Sequence, residues 1–324
     1  MGGSEEILLD KPIKEKYKTL NNGTTCPIIG LGTKNITKDE HINIVYQSII
    51  DGIRLIDTEP KSEPFVGKAI QRAISEGKVK RKDLFIITKL ELDEKDDPKK
   101  ALESSLERLQ LDYVDLYLDH WPSCINYKNP NKKKLIKACE TWEKMESLVR
   151  QEKTRGIGLS NYNIENLMNV FSNCRIKPCA VEVEFHPFLY QRDLKELCDR
   201  EKIVLFGYNP LGKGENCKKD YQILNDYDLF NEAPIHYLAK KYETNEKYKN
   251  EDNYHLTKGK IILNWHMCLG VVPIIGTLKQ NRMKENLAAK SFTLDEKMID
   301  LISSEQRQFR FNDGSDVFGI DIFA

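Results

Sequence analysis

The sequence predicts an α/β chain folded as a closed (β/α)8 barrel of the TIM type, with an N-terminal β-hairpin ahead of it and a C-terminal tail behind. Three observations carry this expectation. Eight short apolar runs alternate with stretches of helical period. Asp57, Lys89 and His120 each close one such run, 32 and 31 residues apart (57 to 89 to 120), close to one strand-plus-helix unit each. The chain has 324 residues with 40% apolar content, enough to fill a barrel of this kind as one domain.

The elements follow in order. Residues 1–17 are charged and without period, which predicts a loose arm ahead of a barrel domain spanning 18–324. Asn21-Asn22-Gly23 between short β-type runs is hairpin chemistry. The predicted barrel strands are Pro27–Gly32, Ile53–Asp57, Leu84–Lys89, Val114–His120, Gly156–Ser160, Val181–His186, Ile203–Tyr208 and Val271–Ile275. Between them, Lys38–Ile50 carries Ile42, Val45, Ile49 and Ile50 on one helical face, with Gly52 as a stop. Pro98 opens a helix reaching about Leu109, since proline is tolerated in a first turn. Trp142, Met145 and Leu148 mark the inner face of another. Thr293-Leu-Asp-Glu296 reads as a capping box ahead of Met298, Ile299, Leu301 and Ile302. The gap before the last strand holds a polar insert, about 243–255, expected to be solvent-exposed, with a docking surface for a protein partner as the alternative.

Composition excludes several classes. Fifty basic and fifty acidic side chains give a formal net charge of zero, so no global field favours nucleic acid or an acidic membrane. The Lys128–Lys137 run is the main local exception and reads as a solvated loop and helix start. Eight cysteines show no C-x-x-C spacing, which fits reduced thiols in a cytoplasmic protein rather than a disulfide framework or a metal site. No window approaches a membrane span, and Met-Gly-Gly-Ser-Glu-Glu has neither the basic nor the apolar region of a signal peptide. At position 6 a myristoylation motif would want Ser or Thr, and Glu6 stands there.

Ordered motifs over residues 19–312 narrow the reading. They are Gly-Leu-Gly-Thr33, Asp-Gly-Ile-Arg-Leu-Ile-Asp57-Thr, Leu-Asp-Tyr-Val-Asp-Leu-Tyr-Leu-Asp-His120-Trp-Pro, Gly-Leu-Ser160-Asn161, Glu184-Phe-His-Pro187, Tyr208-Asn-Pro-Leu-Gly212 and the Arg282/Glu285/Asn286 cluster. In that order and spacing they resemble the aldo-keto reductase family. The resemblance implies an NADP-dependent oxidoreductase reducing aldehydes or ketones to alcohols, as a monomer. It implies catalytic roles for Asp57, Lys89 and His120, with Asp57 paired to the lysine and the histidine orienting the carbonyl. It further implies nucleotide contacts at Gly32, Thr33, Asp57, Ser160, Asn161, Glu182, Tyr208, Pro210, Leu211, Gly276, Thr277, Arg282, Glu285 and Asn286. Ser160 and Asn161 would hold the nicotinamide carboxamide, with Tyr208 stacked on the ring. NADPH is expected over NADH because Arg282 matches the arginine that meets a 2′-phosphate. Gly276 and Thr277 offer groups to phosphate near a helix N-terminus.

Four departures fall on the working face. The family's proton-donating tyrosine should stand three residues before the glutamate that precedes Val-Gly. Here that glutamate is Glu63, ahead of Val66-Gly67, and counting back gives Pro60, in a stretch about two residues short. Glu182 stands where the third carboxamide partner is usually glutamine, and an ionised carboxylate cannot donate to an amide oxygen. Lys34 replaces a pocket tryptophan, leaving Trp121 as the matching pocket aromatic, and Ile274 replaces the lysine that follows the proline. Lys279 is a stand-in for that charge. Lys89, His120, Ser62 and Tyr127 are the candidate replacement donors. The alternative is a barrel that keeps the fold, with or without the nucleotide, but serves as a binding or structural subunit of a larger assembly, a catalytically impaired pseudoenzyme. The tail carries Phe309, Phe311, Phe318 and Phe323, either to cover the barrel mouth or to pack on its exterior.

Overall fold

The computed structural model describes residues 11–122, 138–212, 228–243, 256–304, 307–314, 318 and 323. Strands β1 (Tyr17–Thr19) and β2 (Thr25–Pro27) pair antiparallel around a turn in which Gly23 takes φ 85°. A positive φ at that point suits glycine, and the Asn-Asn-Gly signal is met. Residues ahead of β1 are tied down where they are described: the Ile13 N–H donates to the Lys290 carbonyl at 3.1 Å, and the Lys11 carbonyl accepts from Thr293 Oγ1 at 2.8 Å.

Eight parallel strands close the barrel: β3 (Gly30–Gly32), β4 (Leu55–Asp57), β5 (Phe85–Leu90), β6 (Leu116–Asp119), β7 (Ile157–Ser160), β8 (Ala180–Glu184), β9 (Val204–Tyr208) and β10 (Val272–Gly276). Each pairs with the next in the chain and β10 returns to β3. Every predicted run overlaps one of these strands; β5, β8 and β10 each extend one residue beyond the predicted run, at Leu90, Ala180 and Gly276. Helices α1 (Ile42–Ile50), α2 (Glu63–Ser75), α3 (Pro98–Leu109), α4 (Ala138–Arg150), α5 (Ile164–Asn173), α6 (Arg192–Arg200), α7 (Ala233–Glu243), α8 (Lys258–Cys268), α9 (Gln280–Leu287) and α10 (Glu296–Ser303) complete the units.

The two-residue period of the strands sorts their side chains. Leu55, Phe85, Ile87, Leu116, Leu118, Val204, Phe206, Val272 and Ile274 fill the barrel interior. Their alternates Ile56, Ile86, Leu90, Tyr117, Val181, Val183, Leu205 and Ile275 join the larger core under the helices. Full burial of such a side chain stabilises by roughly 1.5–3 kcal/mol, so the two layers together fix the register. Carrying the inward series one step further along β4, β5, β8 and β9 gives Asp57, Lys89, Glu182 and Tyr208. The polar groups at the mouth are thus the continuation of an apolar pattern.

Glycine leaves room for packing at β3. A Cβ on Gly30 would lie 2.2 Å from Leu55 Cδ2 and 2.7 Å from Ile274 Cδ1, so both side chains would have to shift to admit one.

Two local expectations are corrected. The cap of α10 is Asp295, whose carboxylate accepts from the Met298 N–H at 2.9 Å, whereas Thr293 spends its hydroxyl on Lys11. The helix therefore starts at Glu296 and the capping box is not formed. The Lys38–Ile50 stretch divides into a 3-10 turn at Asp39–His41 followed by α1, so the helix proper begins at Ile42. The insert at 243–255 falls outside the described residues beyond Glu243, as does the Lys128–Lys137 run.

Candidate active site

Asp57, Lys89 and Glu182 meet inside the C-terminal mouth. The Lys89 ammonium donates to Asp57 Oδ1 and lies 3.3 Å from Glu182 Oε1, with the Thr58 carbonyl at 3.5 Å. Lys89 is 5% and Glu182 2% exposed. Burial alone would lower the lysine pKa, but Asp57 and then Glu182 overcome it and hold Lys89 protonated above its ordinary range. Glu182 moves the other way: burial, with Asp57 adding to it, pushes its carboxyl up to about 8 against the pull of Lys89. Its Oε2 is buried without a hydrogen-bond partner. One ammonium thus faces two carboxyl groups, and the second is the weaker partner.

His120 follows the end of β6, with its Nδ1 3.0 Å from Glu91 Oε1. Glu91 is the position two residues after Lys89, so the strand period brings it to the same side. Burial would raise its carboxyl, but the His120 contact outweighs that and keeps Glu91 below the usual carboxylate range. This partner was not foreseen from sequence, where Glu91 merges into the acidic stretch Glu91-Leu-Asp-Glu94. Behind the imidazole, a second buried pair fixes its segment. Lys95 Nζ lies 2.7 Å from Asp119 Oδ1 and donates to the Trp121 carbonyl, while the Tyr162 phenol donates to Asp119 Oδ2 at 2.8 Å. Asp119 and Trp121 flank His120 on either side.

Ser160 and Asn161 end β7, both buried. Asn161 takes φ 62°, a left-handed conformation that asparagine tolerates better than most residues. Its N–H donates to the Glu182 carbonyl at 2.9 Å and its Nδ2 to the His120 carbonyl at 2.9 Å. The Tyr208 phenol donates to Asn161 Oδ1 at 2.7 Å and accepts from Asn312 Nδ2 at 2.9 Å. The tail reaches the mouth through Glu184, whose carboxylate accepts from the N–H groups of Phe311 at 3.2 Å and Asn312 at 2.8 Å and from Asn209 Nδ2 at 2.8 Å. Trp121 is buried, its ring 5.4 Å from Phe318 and 6.4 Å from Phe323. Phe311 packs instead with Phe188, Leu229, Ile235 and Ile262.

The remaining expected residues are less convergent. Thr33 is fully buried, with its hydroxyl donating to the Asp57 carbonyl at 2.9 Å, and Gly32 beside it pairs with Asp57 in register. Lys34 is exposed. Pro210 is buried and Leu211 half-buried, just past β9. Gly276 and Arg282 are exposed and Thr277 and Glu285 half-buried around the start of α9, with Asn286 buried at 6% exposure. Among the described residues no group of His, Cys, Asp or Glu is arranged to hold a metal ion.

Ser62 is removed from the candidate donors. Its hydroxyl sits fully buried between Thr33 Oγ1 at 3.0 Å and Thr58 Oγ1 at 2.8 Å, and donates to the Glu59 carbonyl at 3.0 Å. It therefore closes the turn before α2, with its hydroxyl spent on neighbouring groups. The turn is tight: the N–H groups of Ser62 and Glu63 both donate to the Glu59 carbonyl, at 2.9 and 3.2 Å. Glu63 in turn is fully buried, accepting from Thr88 Oγ1 at 2.5 Å and Arg108 Nε at 2.6 Å. Tyr127 lies outside the described residues.

The arrangement defines a class: a closed parallel barrel with charged residues gathered at the carboxyl ends of its strands, as enzymes on this fold place their chemistry. The family profile described as the Aldo/keto reductase family matches residues 28–306, and the chain belongs to that family. Among similar proteins, the glycerol 2-dehydrogenase (NADP(+)) of Saccharomyces cerevisiae is 33% identical, covering 91% of this chain and 93% of its own. The NAD(P)H-dependent D-xylose reductase of Pachysolen tannophilus is 33% identical, covering 92% and 96%. A crystal structure of an aldo-keto reductase complexed with NADPH superposes with a TM-score of 0.80 at 28% identity, covering 92% of this chain and 90% of that one.

Proposed function

We propose that the protein is an NADP(H)-dependent oxidoreductase that reduces an aldehyde or ketone to the alcohol at the mouth of the barrel. The observation that carries this reading is the buried Asp57–Lys89 ion pair opening on the same mouth as His120. The residues fit a nicotinamide: Glu182 Oε2 is a buried polar atom in want of a partner beside Ser160 and Asn161, as a carboxamide would supply. Ser160, Asn161, Glu182 and Tyr208 would hold that end, and Gly276, Thr277, Arg282, Glu285 and Asn286 the phosphate and adenine end. Bound there, the nicotinamide supplies a hydride. NADPH is favoured over NADH by Arg282, which stands exposed near the start of α9.

The chain's own groups then have these tasks. Asp57 keeps Lys89 charged, so its ammonium polarises the carbonyl oxygen. Because two carboxyl groups bind that proton tightly, Lys89 is a poor donor, and His120 is the better one. Glu91 holds its Nδ1, leaving Nε2 as the ring nitrogen that can reach substrate. General acid help of this kind is worth about 10²- to 10⁴-fold, so a donor less well matched than a tyrosine gives slow turnover rather than none.

A second reading has its own observation. The tight Glu59–Ser62 turn leaves no hydroxyl facing the mouth where the family's donor would stand, which favours a nucleotide-binding subunit without turnover. The two are separated by titrating the protein with NADPH, followed by fluorescence, and then assaying a panel of aldehydes and ketones. Turnover that His120→Asn reduces supports the reductase. Binding with no turnover of any carbonyl transfers the assignment to the second reading, while failure to bind NADPH or NADH removes both. We further propose a cytoplasmic monomer. No helix among the described residues is long and apolar enough to cross a membrane, and a protein partner at the 243–255 insert would show as a larger species by light scattering.

A further inference from the structure

The mouth carries one carboxyl group more than its cation can neutralise, and that surplus has a consequence for the nucleotide. We propose that Glu182 makes the nicotinamide subsite discriminate between the oxidised and reduced cofactor, binding the cationic ring as a carboxylate and the neutral dihydro ring as a carboxylic acid. The inference rests on the reading that this mouth binds a nicotinamide nucleotide. Its geometric ground is the position of Glu182 on β8 beside Ser160, its 2% exposure, its 3.3 Å contact with Lys89 and the partnerless Oε2.

Glu182 is faced by the Lys89 ammonium from β5, the Asp57 carboxylate from β4, Glu59 from the turn beyond β4 and the Tyr208 phenol from β9. Asp57 already neutralises Lys89, so an ionised Glu182 leaves the cluster with a surplus negative charge. A cationic ring in the mouth compensates that charge. A neutral ring does not, and a protonated Glu182 instead supplies the donor that a carboxamide oxygen requires. With its carboxyl titrating near 8, both forms are accessible close to neutral pH.

Linkage gives the signs. The oxidised form favours the carboxylate, so its binding releases a proton and tightens as pH rises. The reduced form favours the acid, so its binding takes up a proton wherever Glu182 is ionised and weakens over the same range. The ratio of the two dissociation constants then changes by up to about tenfold per pH unit. Ionisations on the nucleotide shared by both forms cancel in that ratio.

The test is calorimetric titration of the full chain with NADP+ and with NADPH between pH 6.5 and 9.5, for the wild type and Glu182→Gln. Expected is a ratio that moves several-fold or more toward NADP+ with rising pH in the wild type and stays flat in Glu182→Gln. Repeating the wild-type titration near pH 8 in two buffers of different ionisation enthalpy reads the proton directly: release with NADP+, uptake with NADPH. That measurement needs no variant and stands even if Glu182→Gln fails to fold. Parallel pH dependences for the two forms in the wild type, or a slope that survives in Glu182→Gln, would overturn the inference while leaving nucleotide binding intact. Absence of binding by either form would overturn the underlying reading of the site and this inference with it.

Discussion

Lys89 and Lys95 are each buried against an aspartate from an adjoining strand, Asp57 at the end of β4 and Asp119 at the end of β6. Lys95 and Asp119 point away from the barrel axis. Their ammonium and carboxylate are matched one to one, and a backbone carbonyl at Trp121 and a phenol at Tyr162 take up further hydrogen bonds. Lys89 points inward and meets a second carboxyl group, Glu182, with an oxygen left over. A pair that exists to hold a segment can be closed on itself. Both clusters leave one carboxylate oxygen without a hydrogen bond, Asp119 Oδ1 and Glu182 Oε2; the first lies 2.7 Å from its own ammonium, and the second belongs to the surplus carboxyl group at the mouth.

The largest expected effect is on the closed pair. Lys95→Met leaves Asp119 buried without its cation and the Trp121 carbonyl without its donor, at a cost of about 3–5 kcal/mol read from the urea midpoint at pH 7. Lys89→Met should cost less, about 2–3 kcal/mol, because Glu182 and Asp57 can share a proton once the ammonium is gone. If the two losses are equal, the contrast between them fails. Lys89→Met should also abolish carbonyl turnover, whereas any Lys95 variant that folds should retain it in part.

Next is a pH dependence. Glu182 has a folded-state pKa above its unfolded value, so it favours folding most below the unfolded value and loses that contribution as pH rises toward 8. Glu182→Gln should therefore gain on the wild type at pH 9, by about 1–3 kcal/mol in unfolding free energy, and the gain should close as pH falls toward 5. A difference independent of pH would show that the carboxyl does not titrate in the folded protein. The smallest effect is Tyr162→Phe, which removes one hydrogen bond to Asp119 and should cost about 1–2 kcal/mol in the same denaturation assay, with no change in nucleotide binding.

The barrel was legible because its strands announce themselves twice, by apolar runs and by the spacing of the residues that end them. Asp57, Lys89 and His120 could be placed at one mouth because each closes a strand run, whereas Glu182, second in its predicted run, was assigned there only through the family resemblance. Glu91 and Lys95 could not. Both lie in Glu91-Leu-Asp-Glu-Lys95-Asp-Asp, a stretch that reads as solvated charge. Their partners His120 and Asp119 come from the next strand unit, and only the fold brings them together. Ser62 failed as a donor for the opposite reason. A hydroxyl near the right position in sequence is consumed by its own turn, and a local hydrogen bond of that kind competes with any role at a distance.

That turn also limits how the chain could be altered. Because α2 begins directly after Ser62 and is anchored through Glu63 to β5 and α3, a tyrosine written over Pro60 would inherit a backbone wound back toward Glu59. Restoring a phenol to the mouth calls for added chain between Thr58 and Ser62, with the helix left where it is. Because the turn and the start of α2 share the Glu59 carbonyl, a point substitution changes the side chain without changing where the backbone carries it.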